Sequence, residues 1–238
     1  MSLDLRASRF VEAAEQGERP IPKRVSLGDD VYETLLSQLV ALKIPPGSRI
    51  SVDALVRQMG VSQTPIRAAL IRLENEGLVV KTHNVGFSAA PMPSRDKFEQ
   101  IYDLRLLLEP YAAEHATRRL TDASCEELAV LARGMSDPAG HDTERAYGKF
   151  AVQDAKFHAL IAVQSGNLLA AESLGRSFAH SHLFRLNFHS AVTRGAIEEH
   201  ARIVAAMAAR DPQAARAAME AHIVQSRDRW RPYFESMA

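Results

Sequence analysis

Cysteine is almost missing from this chain. Cys125 stands alone among 238 residues, which excludes an intramolecular disulfide and suits a reducing compartment. Glycine and proline are scarce too, at 12 and 11 residues, too few for a linker-rich or fibrous protein. No apolar stretch approaches the length needed to cross a bilayer, and the opening MSLDLRASRFVEAAEQGERP has no hydrophobic run of the signal-peptide kind. The expectation is a cytoplasmic protein with no membrane partner. Charge of one sign is also lacking, since 29 basic residues balance 29 acidic ones. The whole chain therefore has no bulk attraction for nucleic acid. Residues 23–90 carry eight basic against six acidic side chains, a bias so mild that any DNA affinity must come from where the cations sit and from dimerisation.

What is present is ordinary for a soluble globular protein: 46% hydrophobic and 24% charged residues. The length suffices for one large domain or two small ones with real cores. Residues 1–27 are polar, broken by Pro20 and Pro22, and read as a partly ordered arm. Val31, Leu35, Leu36, Leu39 and Leu42 then recur at helical spacing, predicting a helix over residues 29–43 that stops before Pro45, Pro46 and Gly47. Ser51 caps a short helix to Met59, and Gly60 supplies a left-handed exit. A third helix starts at Ser62, tolerates Pro65 in its first turn, buries Ile66, Leu70 and Leu73, and stops at Gly77. Strands follow over residues 78–81 and 87–89, with Asn84 and Gly86 offering the positive φ of a tight turn. Three helices and a hairpin over residues 28–90 make a winged helix-turn-helix.

Residues 91–94 form a linker, and everything after it, residues 95–238, reads as helical. Segments 95–119, 122–135, 143–165, 167–188, 194–209 and 212–231 carry the pattern, with Asp96, Asp122 and Asp211 near starts and Pro110 predicting a kink. The fold class is mainly α: an N-terminal winged helix-turn-helix plus a C-terminal all-α bundle of about six helices.

On the third helix, Gln63 and Arg67 project together, away from the buried stripe. Arginine can pair with guanine O6 and N7, and glutamine with adenine N6 and N7, when the N-terminal half of such a helix lies in the major groove. Ser62 and Thr64, at the free N–H groups of the first turn, suit a phosphate. Lys81, His83, Asn84 and Gly86 in the hairpin would follow the backbone or the minor groove. The segment IPPGSRISVDALVRQMGVSQTPIRAALIRLENEGLVVKTHNVGF resembles the DNA-binding domain of GntR-family bacterial transcription regulators, through PPG, GVS-x-TP-x-R, the RLE-x-EGLV run and the wing glycine. It departs from that family at Gln63, commonly Arg, at Ala68, commonly Glu, and at Val85, often basic. Those departures bear on base preference.

In the helical half, Asp154 and His158 lie four apart in KFAVQDAKFHALI, sharing a face with Phe150, Phe157 and Ile161. His200 and His222 each lie on an apolar helical stripe. A lone histidine on such a face is ordinarily a core residue bonded to a neighbour. A carboxylate buried without a partner is costly, however, and Asp154 beside three inward imidazoles makes a natural site for a divalent metal. One oxygen and three nitrogens suit zinc, nickel, iron or manganese, zinc being the first expectation.

The arrangement also resembles the FCD effector domain of the FadR-type branch of the GntR family, and the resemblance continues through RLLLEPYAAEHA and ARDPQAARAAMEAHI. It implies that Asp154, His158, His200 and His222 hold the metal, and that Arg105 grips the carboxylate of a small organic acid. An ion pair between Arg105 and Glu109, one turn apart, is the alternative. Asn187, with His180, His182 and His189, is a further candidate for lining the pocket. The expected function is a metabolite-responsive regulator, a repressor, binding a double-stranded DNA operator as a homodimer. A metal-dependent hydrolase on the same ligands is the rival, although Glu199 points about a quarter-turn from His200 and no general base is evident. A purely structural metal is the third reading.

Overall fold

The computed structural model of the protein describes residues 27–135, 143–177 and 190–235. Helix α1 (Leu27–Val40) comes first, then β1 (Arg49–Ile50), α2 (Val52–Met59), α3 (Gln63–Asn75), β2 (Val79–Thr82) and β3 (Gly86–Ala89). Six helices follow among the described residues: α4 (Arg95–Arg119), α5 (Asp122–Gly134), α6 (Thr143–Gln164), α7 (Leu168–Ser177), α8 (Ser190–Ala208) and α9 (Pro212–Glu235). The chain is thus mainly α, a winged helix-turn-helix followed by a helical bundle. Residues 1–26, His180, His182, Asn187 and His189 lie outside the described residues.

Local chemistry explains the first half. Val31, Leu35, Leu36 and Leu39 of α1 are buried as their spacing predicts. The helix ends at Val40 instead of residue 43, because Leu42 adopts φ 57° and turns the chain before the proline pair is reached. The Ser51 hydroxyl accepts from Ala54 N at 3.3 Å to open α2, and Gly60 at φ 67° closes it. Helix α3 buries Ile66, Ala69, Leu70 and Leu73. The wing turns at Asn84 (φ 59°) and Gly86 (φ 109°), the left-handed conformations that Asn and Gly tolerate best. Strand β1 was not expected. It adds an edge to give the order β1-β3-β2, pairing Arg49 with Ser88 and Ile50 with Phe87, and two residues are too few to display a period.

In the second half α4 is the spine, with α9, α6 and α7 packed against it. It continues unbroken through Pro110. Its N-cap is Ser94, whose hydroxyl accepts from Lys97 N at 3.2 Å, and that of α5 is Thr121. Asp96 and Asp122 instead occupy first turns, where a negative charge favours the helix dipole. Tyr102, fully buried, meets Ser226 of α9 at 2.8 Å, and Arg227 of α9 pairs with Glu99 of α4.

The two halves touch directly. Helix α1 packs on α3 and also on α6, and Lys156 of α6 reaches Glu33 of α1 at 2.7 Å. The approach depends on Gly148. A Cβ there would lie 2.1 Å from Ser37 Oγ and 2.8 Å from the Ser37 carbonyl oxygen. The hydroxyl can rotate away, but the carbonyl cannot. Overpacking costs about 1–3 kcal/mol, against roughly 1 kcal/mol gained when alanine replaces glycine in a helix. Gly148→Ala should therefore lower the thermal midpoint by a few degrees. Gly175→Ala, on α7 with nothing within 4 Å of its Cβ, should raise it. Thermal melts of both variants check the opposite signs.

Candidate metal centre and DNA-binding surface

Three helices converge on one point in the bundle. Asp154 and His158, one turn apart, come from α6, His200 from α8 and His222 from α9, and none is more than 5% exposed. The Nε2 atoms of His158 and His200 are 3.3 Å apart. Asp154 Oδ1 lies 3.3 Å from His200 Nε2 and 4.0 Å from His158 Nε2. One ring nitrogen from each of the three histidines falls within 4.8 Å of the others. Donors bonded at about 2.1 Å around a tetrahedral ion sit roughly 3.4 Å from one another, so the two 3.3 Å spacings at His200 Nε2 suit a small cation, while the other donors would have to draw in. Phe157 closes one side, its ring centroid 4.7 Å from that of His200. The donor set, one carboxylate and three imidazoles, fits zinc, nickel, iron or manganese better than thiolate-preferring ions.

Two glutamates stand behind the histidines. Glu109 of α4 takes Arg105 Nε at 2.6 Å, and its other oxygen lies 2.5 Å from His158 Nδ1. The Arg105–Glu109 ion pair therefore forms, and it borders the cluster. Burial works against the charge on Arg105, yet Glu109 and Tyr102 outweigh it and keep the guanidinium protonated. Glu199 of α8 meets His222 Nδ1 at 2.8 Å and is gripped by Arg229 of α9. Burial would raise the Glu199 carboxyl, but the bonds from His222 and Arg229 win and hold it below its usual range. Burial pushes the His222 imidazole below the ordinary histidine range, against the pull of Glu199. The neutral form is the one that can ligate.

Glu199 is the residue whose partner sequence reasoning missed. A quarter-turn from His200 on its own helix, it lies beside a different histidine on the next one. A run of residues in α8 contains no signal for a bond to α9.

At the other end of the molecule, Ser62, Gln63, Thr64, Arg67, Lys81, His83, Asn84 and Gly86 are all exposed. Gln63 and Arg67 form a chain with Asp53 of α2. The Gln63 amide donates to Asp53 Oδ1 at 2.8 Å, and Arg67 Nη2 donates to Gln63 Oε1 at 3.2 Å. This ties the exposed arginine to the first turn of α3. Val85 at the wing tip is 57% exposed.

A winged helix-turn-helix set on a helical bundle defines a class: DNA-binding transcription regulators that carry a second, all-helical domain. Comparison with known families agrees and is more specific. Residues 27–88 match the bacterial regulatory proteins of the gntR family, and residues 100–225 match the FCD domain. The chain belongs to the GntR family of transcription regulators, in its FCD-containing form. It is 32% identical over 184 residues to the Nta operon transcriptional regulator of Aminobacter aminovorans, covering 77% of this chain and 85% of that one. It is 25% identical to a probable D-xylose utilization operon transcriptional repressor of Paenarthrobacter nicotinovorans, covering 84% of this chain and 87% of that one. Among solved structures, E. coli McbR/YncC shares the fold with a TM-score of 0.68 at 22% identity, over 90% of this chain and all of that one. These are regulators and not enzymes, which sets the hydrolase reading aside. No helix among the described residues is long and apolar enough to cross a membrane.

Proposed function

We propose that this regulator is a metabolite-responsive repressor. Residues 28–90 bind a double-stranded operator, residues 95–238 hold a divalent metal and a small organic acid, and residues 91–94 join the two. Asp154, His158, His200 and His222 would hold the metal, with zinc the first expectation. When bound, it would act as a Lewis acid towards the carboxylate of the effector. Arg105 would take that carboxylate as well. Its guanidinium has five N–H donors, more than the two oxygens of Glu109 accept. The observation that carries the reading is the convergence of three buried histidines from three helices, with Asp154 3.3 Å from one of them, beside a buried arginine, in a chain whose other end presents an exposed recognition helix.

Each chain has one such helix, enough for one half-site. A homodimer reading two half-sites about one helical turn apart is the arrangement that brings specific affinity. Signal can travel by two routes. The linker is one. The other is α6, which carries Asp154 and His158 and also supports α1 through Gly148 and Lys156. A tenfold change in operator occupancy asks the effector for only about 1.4 kcal/mol of preference between the two conformations.

Thermal shifts with a panel of small mono- and dicarboxylates, with and without a chelator, test the proposal. At least one acid should raise the midpoint, and chelation should abolish that rise. If no acid stabilises the protein and chelation changes nothing, the pocket reading is wrong.

A further inference from the structure

Glu199 is 3% exposed and both its oxygens are engaged. Arg229 donates from Nη1 to Oε1 at 2.5 Å and from Nη2 to Oε2 at 2.8 Å. His222 Nδ1 lies 2.8 Å from the same Oε2. A neutral imidazole carries its proton on one nitrogen only, and a carboxylate can accept but not donate. In the neutral ring that a metal ligand must be, this bond requires the proton to sit on Nδ1, which leaves the lone pair on Nε2. An unconstrained neutral imidazole favours the opposite tautomer, whose Nε2 cannot ligate.

We propose that Glu199, clamped by Arg229, is a positioning residue for the metal. It fixes the tautomer of His222 and holds the ring so that Nε2 faces the ion. Arg229 in turn holds both carboxylate oxygens and so keeps the group correctly turned. The effect runs across helices, since Glu199 precedes the ligand His200 on α8 but serves the ligand on α9. This inference rests on the metal reading given above. The competing description is a plain tie between α8 and α9, which would influence stability and leave metal affinity alone.

The experiment compares the full chain with Glu199→Gln, measuring Zn²⁺ affinity by competition with a chromogenic chelator and the thermal midpoint of the metal-free protein. Partners behind a ligating histidine commonly contribute a factor of about 10–100 in affinity, so zinc should bind the variant roughly 10–100-fold more weakly. Glu99→Gln, which breaks the partly exposed pair with Arg227 between α4 and α9, should leave zinc affinity unchanged. A Glu199→Gln protein that binds zinc within twofold of the parent overturns the proposal. A second readout covers the case of a variant that fails to fold. Nitrogen-15 spectra of the metal-free parent, with His222 assigned by comparison with His222→Gln, should report an Nδ1–H tautomer, and an Nε2–H tautomer overturns the proposal. A parent that binds neither zinc nor manganese overturns the metal reading and this inference together. A parent that binds, beside an indifferent variant, overturns this inference alone.

Discussion

Alanine at both Gln63 and Arg67 is expected to weaken operator binding by roughly 30-fold or more, because each well-formed pair with a base edge is worth about 1–3 kcal/mol. The two positions are not independent. Gln63 accepts from Arg67 and is itself held by Asp53, so Gln63→Ala also releases the arginine from that bond. Single-variant losses should accordingly fail to add to the double-variant loss. Lys81→Ala offers the contrast. A phosphate-contacting lysine, when lost, weakens all sequences alike and lowers the slope of log affinity against log salt by about one. Fluorescence anisotropy with a promoter fragment at several salt concentrations separates the two behaviours. A double-alanine protein that grips DNA like its parent would remove α3 from the reading role, and a flat salt response would argue against phosphate contacts altogether.

His200→Ala should nearly abolish metal binding, a larger effect than the roughly 10–100-fold that an outer-shell partner contributes. His200 is the central donor. Its Nε2 lies 3.3 Å from both His158 Nε2 and Asp154 Oδ1, and without it the candidate ligands fall to three. The stability consequence follows from mass action. A metal at 1,000 times its dissociation constant stabilises the native state by about 4 kcal/mol, and the variant forfeits that increment. Its melting point should thus respond little to added zinc, while the parent's rises and then falls again with chelator. Because the recognition helix lies in the other half, the variant should keep operator affinity and lose its response to the organic acid. Unfolding of the metal-free parent under the same conditions would instead favour a purely structural ion.

The elements of the first half were readable because their signals are local. Ser51 and Gly60 bracket α2, Asn84 and Gly86 turn the wing, and Ile66, Leu70 and Leu73 mark the inner face of α3. The misses share a physical cause. Strand β1 exists only because β3 offers it backbone partners, and the end of α1 is set by the conformation of Leu42. Arg105 could be read as an effector anchor or as the partner of Glu109. Its spacing allowed both, and its pair with Glu109 is found directly behind His158.

Periodicity, capping residues and the four-residue step from Asp154 to His158 depend on interactions within a helix or a turn, so linear order alone determined the winged helix, the helical bundle and the residue types of the candidate centre. Where α8 meets α9, which glutamate serves which histidine, and how closely α1 can approach α6 at Gly148 depend on contacts between segments distant in the chain. Only the tertiary structure decided these, because a side chain's reach across a helix interface is set by the packing of both helices and by neither sequence alone.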